Sequence, residues 1–108
     1  MNLEVKEQLD AILDIVKTII PLKEAYLFGS FANGLQVKDS DFDLYFIVED
    51  LDDDRLAKII EIRGALFDVV TKPMDILLNT KATFDYRASN KSTLEYKIKK
   101  EGIKLYEK

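Results

Sequence analysis

The feature that most constrains the fold is the run DFDLYFIV at residues 41–48, which becomes wholly apolar after its first three residues. Side chains of a β-strand point alternately to opposite faces, and a strand that is apolar on both faces is typically central and covered on both sides. The same period places Asp41 and Asp43 together on one face. Two neighbouring carboxylates at the start of a core strand repel each other and are costly to bury, so the sequence predicts a compensating positive group beside them.

Apolar spacing and turn residues predict the other elements of the chain. Helices are expected at 3–20, at about 53–67 and within 85–100, and strands at 24–28, 41–48 and 74–79. Pro21 ends the first helix, Gly102 caps the last, and IKLYE at 103–107 is a short terminal segment. Residues 32–40 form a turn in which Gly34 is predicted to adopt unusual backbone angles. This order predicts an α/β (α+β) fold with a small mixed sheet and flanking helices, in a single domain spanning residues 1–108.

Composition narrows the chemistry that such a fold could perform. The chain has no cysteine and no histidine, which excludes disulfides, thiolate or histidine metal sites, and Ser-His-Asp or Cys-His catalysis. Any catalysis must therefore rest on carboxylates, hydroxyls, lysine, arginine, backbone amides or bound metal. The first residues do not resemble a signal peptide, and no apolar run is long enough to span a membrane. We therefore expect a cytoplasmic protein without a membrane partner.

Charge is distributed unevenly along the sequence. The net charge is −4, yet residues 87–108 carry seven basic and three acidic side chains, so the excess acid lies in the first 86 residues. An acidic body argues against general nucleic-acid binding, which depends on neutralising phosphates. The basic tail at 87–108 fits either a solvated helix face or a docking surface.

A divalent cation is the group that best compensates Asp41 and Asp43. Carboxylate oxygens are ligands that Mg²⁺ prefers. A calcium-binding loop is an alternative, because Asp39 completes a D-x-D-x-D spacing. In such a loop, however, Leu44 stands where glycine is required and Asp50 stands where glutamate is required. A solvated strand end without a bound ion is the other alternative.

A second signal lies upstream of the acidic strand. Gly29 and Ser30 follow the strand at 24–28, and a small residue with a hydroxyl at such a turn lets backbone N–H groups approach phosphates. The chain contains neither GxxxxGK[ST] nor GxGxxG, so neither a P-loop nor a Rossmann site is supported. Taken together, the two signals read Gly-Ser, ten intervening residues, and Asp-x-Asp.

This combination resembles the nucleotidyltransferases of the DNA polymerase β superfamily, and the small size of the chain is similar to that of the minimal nucleotidyltransferases (MNT). The resemblance rests on AYLFGS (25–30), FANG (31–34) and SDFDLYFIV (40–48), and extends more loosely to MDILLN (74–79) and IKKEGIKLYE (98–107). It implies a polymerase β-like nucleotidyltransferase fold and a reaction that releases pyrophosphate from a nucleoside triphosphate.

The resemblance also implies a set of site residues. Asp41 and Asp43 would hold one or two Mg²⁺ ions, and Gly29 and Ser30 would hold the β- and γ-phosphates of ATP, the usual donor. A third carboxylate is expected on the next strand, where Asp75 occupies the matching position. Asp75 would bind the second ion and orient or deprotonate an acceptor hydroxyl.

Three positions qualify this assignment. Asp68, at the end of the preceding helix, is the alternative to Asp75 as the third carboxylate. Many relatives carry a basic residue in the turn after Gly-Ser, whereas this chain has Phe31 and Asn33 at those positions. A phosphate contact is therefore either absent or supplied by the basic tail.

The small size of the chain also bears on the acceptor. Related enzymes that modify antibiotics or RNA ends carry an additional domain for the acceptor, so the acceptor is expected on a separate protein or a second copy. The resemblance implies a HEPN-domain toxin as partner, with AMP transferred to one of its tyrosines and the chain acting as antitoxin. The alternatives are a non-catalytic module that binds nucleotide or metal and neutralises its partner by contact, or a homodimeric small-molecule nucleotidyltransferase.

Overall fold

A computed structural model describes residues 3–32, 34, 41–51 and 54–108 of the chain. The helices are α1 (Leu3–Ile19), α2 (Arg55–Leu66), α3 (Lys81–Ala88) and α4 (Leu94–Glu101), and the strands are β1 (Leu22–Phe28), β2 (Phe42–Val48), β3 (Met74–Thr80) and β4 (Ile103–Glu107). In the part of the chain so described, no helix combines the length and apolarity that crossing a bilayer requires.

The four strands form one mixed sheet in the order β3-β2-β1-β4. β1 runs antiparallel to both β2 and β4, and β2 runs parallel to β3. The strand β2 therefore lies inside the sheet, as its apolar sequence predicts. The small mixed sheet with flanking helices confirms the predicted fold class.

Each face of the sheet is covered by a pair of helices. Even-numbered side chains of β2 pack in one core with apolar residues of α1 and α2. Odd-numbered side chains of β2, Tyr45 and Ile47, pack in a second core with Phe84 of α3 and Ile98 of α4. The alternation of β2 is thus used on both faces, and it directs Asp43 toward the face that α3 and α4 cover.

Two features at the end of the chain go beyond the prediction. The last helix expected within 85–100 is α4, and it is preceded by a separate helix, α3, across a turn at 89–93 in which Asn90 and Thr93 accept hydrogen bonds. The segment 103–107 is a full strand that pairs with β1. Gly102 caps α4 as predicted, although its backbone is extended.

The helix predicted at about 53–67 is α2, whose N-cap is Asp54. The Asp54 side chain accepts hydrogen bonds from the N–H groups of Leu56 and Ala57, which explains where the helix begins. Asp53, where the prediction began, lies outside the described residues, as do Asn33 and residues 35–40 of the predicted turn. Gly34 has a φ of 71°, which confirms its unusual backbone angles.

A buried polar network joins β2 to the helices α3 and α4. The Tyr45 hydroxyl donates to Oε2 of Glu95 at 2.9 Å and accepts from Nδ2 of Asn79 at 2.9 Å. Glu95 is only 4% exposed, and its carboxylate also pairs with Nε of Arg87 at 3.0 Å. Burial raises the pKa of Tyr45 to about 12, so the phenol remains a donor at neutral pH.

The charge of Glu95 is stabilised by its partners. Burial alone would raise the pKa of Glu95, but hydrogen bonds from Tyr45, the backbone and Arg87 outweigh that effect and hold the pKa below its usual value. The network therefore fixes α4 against the sheet two residues along β2 from Asp43.

Removal of the Tyr45 hydroxyl tests this network. We expect Tyr45→Phe to lower the free energy of unfolding by about 1–2 kcal/mol, because Glu95 and Asn79 each lose a buried hydrogen bond. Urea denaturation measures the change. Tyr86→Phe is the matched control, since Tyr86 is 80% exposed and its variant should unfold like the wild type. Equal stability of the two variants would contradict the role given to Tyr45.

Candidate functional site

Three strands bring the candidate residues to one end of the sheet. Phe28, the last residue of β1, pairs with Asp43 near the start of β2, and Asp43 pairs with Asp75 near the start of β3. The antiparallel β1–β2 pairing and the parallel β2–β3 pairing place these strand ends side by side. The turn that follows β1 therefore lies next to the acidic ends of two strands.

Asp43 and Asp75, hereafter the carboxylate pair, are paired across the β2–β3 ladder, which places their side chains next to each other on one face of the sheet. Burial, the hydrogen bond and charge of Asp75, and the charge of Asp41 together raise the pKa of Asp43 to about 6. Within the described part of the chain, the negative charge of the pair is therefore not compensated by a cationic side chain.

Asp41 adds a third negative charge near the carboxylate pair. It is exposed and directly precedes β2, and its charge acts on Asp43 from a distance. Among the residues that the structure describes, no group of three or more acidic side chains is arranged to hold a metal ion. The alternation of side chains along the strand predicts that Asp41 and Asp43 share a face. In the structure, the residue that pairs with Asp43 across the sheet is Asp75.

Asp68 lies elsewhere. It is exposed in the turn that follows α2, and it is not among the groups that shift the pKa of Asp43. Of the two candidates for a third carboxylate, the structure therefore brings Asp75, and not Asp68, into contact with Asp43.

The turn at residues 29–32, hereafter the glycine turn, lies against the carboxylate pair. Gly29 has a φ of 72°, a conformation that L side chains rarely adopt. A Cβ at this position would also collide with Oδ2 of Asp43. Glycine is therefore required twice over, by the backbone conformation and by the close approach of the Asp43 carboxylate. Ser30, the next residue, is half-buried.

Phe31 has a structural place in the glycine turn. It is 8% exposed, and its ring packs on Phe42 with the ring centroids 5.0 Å apart. The Lys72 ammonium lies 5.8 Å from the centroid of the Phe31 ring. Where many relatives place a basic residue, this chain therefore has an aromatic anchor that fixes the turn to the start of β2. Asn33, the other atypical position, lies outside the described residues.

A cleft between the glycine turn and α4, hereafter the α4 cleft, was not predicted from the sequence. It encloses about 230 Å³. Its walls are Phe28, Gly29 and Ala32 on one side and Leu94, Lys97, Ile98, Glu101 and Gly102 on the other. The sequence shows that this part of the chain is basic. It does not show that α4 lies beside the glycine turn, because that position follows from tertiary packing.

Comparison with solved structures finds the same fold in proteins of low sequence identity. A Sulfolobus solfataricus protein inferred to be a nucleotidyltransferase matches with a TM-score of 0.63 and 17% identity, over 95% of this chain and 80% of that chain. A toxin–antitoxin structure with AMP-PNP matches with a TM-score of 0.55 and 20% identity, over 95% of this chain and 73% of that chain.

A third structure contains a tri-AMPylated Shewanella oneidensis HEPN toxin in complex with an MNT antitoxin. It matches with a TM-score of 0.50 and 18% identity, over 97% of this chain and 72% of that chain. At such identities these three matches establish a common fold.

The sequence itself carries the family assignment. No curated protein matches the chain. The nucleotidyltransferase domain family, however, matches residues 9–103, a span that contains β1, the glycine turn, β2 and β3. The chain therefore belongs to the nucleotidyltransferase domain family, the reaction class that its Gly-Ser and Asp-x-Asp signals predict by resemblance.

Proposed function

We propose that this protein is a Mg²⁺-dependent nucleotidyltransferase that transfers AMP from ATP to a tyrosine hydroxyl of a HEPN-domain toxin and acts as its antitoxin. The observation that carries the proposal is the contact of the carboxylate pair, Asp43 and Asp75, directly beside the glycine turn. A family match over residues 9–103 supports the reaction class.

The residues present fit a divalent cation. The raised pKa of Asp43 has burial and two neighbouring carboxylates as its causes, and among the residues that the structure describes no cation contributes to it. Asp43 and Asp75 would bind the cation, and exposed Asp41 is close enough to act on Asp43 and could complete the coordination. A bound cation would supply charge neutralisation at the phosphates and at the leaving oxygen.

The glycine turn would hold the donor. The left-handed conformation of Gly29 and the absence of a Cβ leave its backbone open beside Asp43. The N–H groups of Gly29 and Ser30, with the Ser30 hydroxyl, are suitable donors to the β- and γ-phosphates. Phosphates in this position would bring the α-phosphorus toward the carboxylate pair.

Asp75 would serve the acceptor. Its side chain is exposed, whereas that of Asp43 is partly buried, so Asp75 is the member of the carboxylate pair that an incoming hydroxyl can reach. Asp75 would orient this hydroxyl and accept its proton as the oxygen attacks the α-phosphorus. A phosphoester bond forms, the bond to the β-phosphate oxygen breaks, and pyrophosphate leaves.

The choice of partner rests on the fold neighbours. Two of them are toxin–antitoxin structures, of which one holds AMP-PNP and the other a tri-AMPylated HEPN toxin with an MNT antitoxin. This chain covers nearly three-quarters of the matched chains in both. We extend that pairing to this chain by analogy of fold, and a HEPN partner supplies the acceptor that the chain itself would lack.

A substitution in the carboxylate pair tests the cation site through stability. In chelator at pH 7.5, we expect Asp43→Asn to raise the free energy of unfolding by about 1 kcal/mol, since like-charge repulsion ends and solvent screens part of the gain. Mg²⁺ should stabilise the wild type but not this variant. Thermal unfolding with and without Mg²⁺ measures both effects.

The control for this experiment is Asp68→Asn, which removes an exposed carboxylate away from the pair and should respond to Mg²⁺ like the wild type. If the wild type is equally stable in chelator and in Mg²⁺, the carboxylate pair is not a cation site.

Mass spectrometry of the partner tests the reaction. After incubation of the protein with a HEPN partner, ATP and Mg²⁺, we expect the partner to gain one or more AMP units. Asp43→Asn and Asp75→Asn should lower the initial rate roughly 100-fold or more, because each removes a group that acts on the transition state. Asp68→Asn should react like the wild type.

Complex formation without a mass change would support the alternative of a non-catalytic antitoxin. Transfer to a small hydroxylated acceptor in the absence of any partner would instead support a small-molecule nucleotidyltransferase. Either result would overturn the proposed protein acceptor.

A further inference from the structure

The α4 cleft opens directly onto the glycine turn. Gly29 and Phe28 form one of its walls, and Lys97 and Leu94 of α4 form part of the other. Phe28 also pairs with Asp43 across the β1–β2 ladder, so the cleft and the carboxylate pair lie on the same face of the sheet. A ligand held at the glycine turn can therefore contact both.

Lys97 brings an available positive charge into this cleft. In the described part of the chain, no carboxylate lies within salt-bridge distance of its ammonium group, and its side chain is exposed. Other lysines on this face are engaged: Lys81 and Lys104 both pair with the buried carboxylate of Glu24, at 2.8 and 3.2 Å. Glu101 lies one turn further along α4 and also lines the cleft, yet it does not bind Lys97.

The glycine turn, residues 29–32, contains no cationic side chain that could bind phosphates. Phe31 occupies the turn as a core anchor, and Lys72 lies over the ring of Phe31. A triphosphate beside the carboxylates Asp43 and Asp75 requires positive charge beyond that of one divalent cation. Lys97 is the described lysine that shares a cavity with Gly29.

We propose that the α4 cleft is the second half of the nucleotide site, in which Lys97 binds the phosphates held at the glycine turn and the apolar wall receives the nucleobase. This inference rests on the proposed function and adds a phosphate-binding residue and a base subsite to it. Lys97 thereby takes the part that a basic residue within the turn would otherwise play.

The size and lining of the cleft fit a base. A volume of about 230 Å³ is below the range of about 300–1,000 Å³ that encloses a whole drug-sized ligand, so the cleft suits one planar ring system and not a complete nucleotide. Phe28, Leu94 and Ile98 offer aromatic and aliphatic surface against which a base can stack. Leu94 is 42% exposed, so its side chain is accessible to a base in the cleft.

Calorimetric titration with Mg²⁺ and a non-hydrolysable ATP analogue tests the role of Lys97. We expect Lys97→Ala to weaken binding roughly tenfold, the effect of one charge-assisted hydrogen bond at a partly solvated site. Lys99→Ala is the matched control, since it removes the same charge from the same helix at a position outside the cleft and should bind like the wild type. Both residues are exposed, so both variants should fold.

Titration with Mg²⁺ and inorganic tripolyphosphate separates the two halves of the cleft. Lys97→Ala should weaken binding of tripolyphosphate as well as of the nucleotide. Leu94→Ser should weaken binding of the nucleotide alone, because tripolyphosphate has no base. An equal loss for both ligands with Leu94→Ser would overturn the base subsite.

The outcomes distinguish the role of Lys97 and the cleft from the proposed function on which that role depends. If the wild type binds no Mg²⁺–nucleotide, the proposed function fails and the inference fails with it. If the wild type binds and Lys97→Ala binds equally well, only the inference is overturned. Equal weakening by Lys97→Ala and Lys99→Ala would also overturn it, because the effect would then be one of net charge.

Discussion

The arrangement of the site depends on the contact between Asp43 and Asp75. Parallel pairing of β2 and β3 puts these carboxylates side by side, and burial, together with the neighbouring carboxylates, raises the pKa of Asp43 to about 6. The glycine turn is then pressed against Asp43, because only a residue without a Cβ fits there. The repulsion between these carboxylates lowers the stability of the folded state, and interactions elsewhere in the fold must compensate for it.

The surrounding structure supplies that offset on both faces of the sheet. On one face, Phe31 packs on Phe42 and fixes the glycine turn to the start of β2. On the other, Tyr45 and Glu95 connect β2 to α4 through a buried hydrogen bond. These contacts flank Asp43 in the sequence on either side, and they hold an unfavourable charge pair in place instead of letting the strand ends separate.

The sequence predicts the central strand and its acidic start well, because period two and apolarity are local properties of 41–48. The pairing of Asp43 with Asp75 is different, because strand alternation groups Asp43 only with Asp41 and it was the family resemblance that predicted Asp75 as a member of the site. Same-face residues on one strand are about 6.6 Å apart, whereas paired residues on neighbouring strands are about 5 Å apart, and the second kind of neighbour depends on the sheet topology. The α4 cleft was missed for a related reason, since its two walls are far apart in the sequence and only tertiary packing brings them together.

We propose that the carboxylate pair and the glycine turn together hold a metal-bound nucleotide. Anomalous diffraction from crystals grown with Mn²⁺ and a non-hydrolysable ATP analogue tests this claim most directly. We expect a manganese peak at coordination distance from carboxylate oxygens of Asp43 and Asp75, with the β- and γ-phosphates against Gly29 and Ser30. A nucleotide bound elsewhere, or manganese without contact to Asp43, would contradict the account.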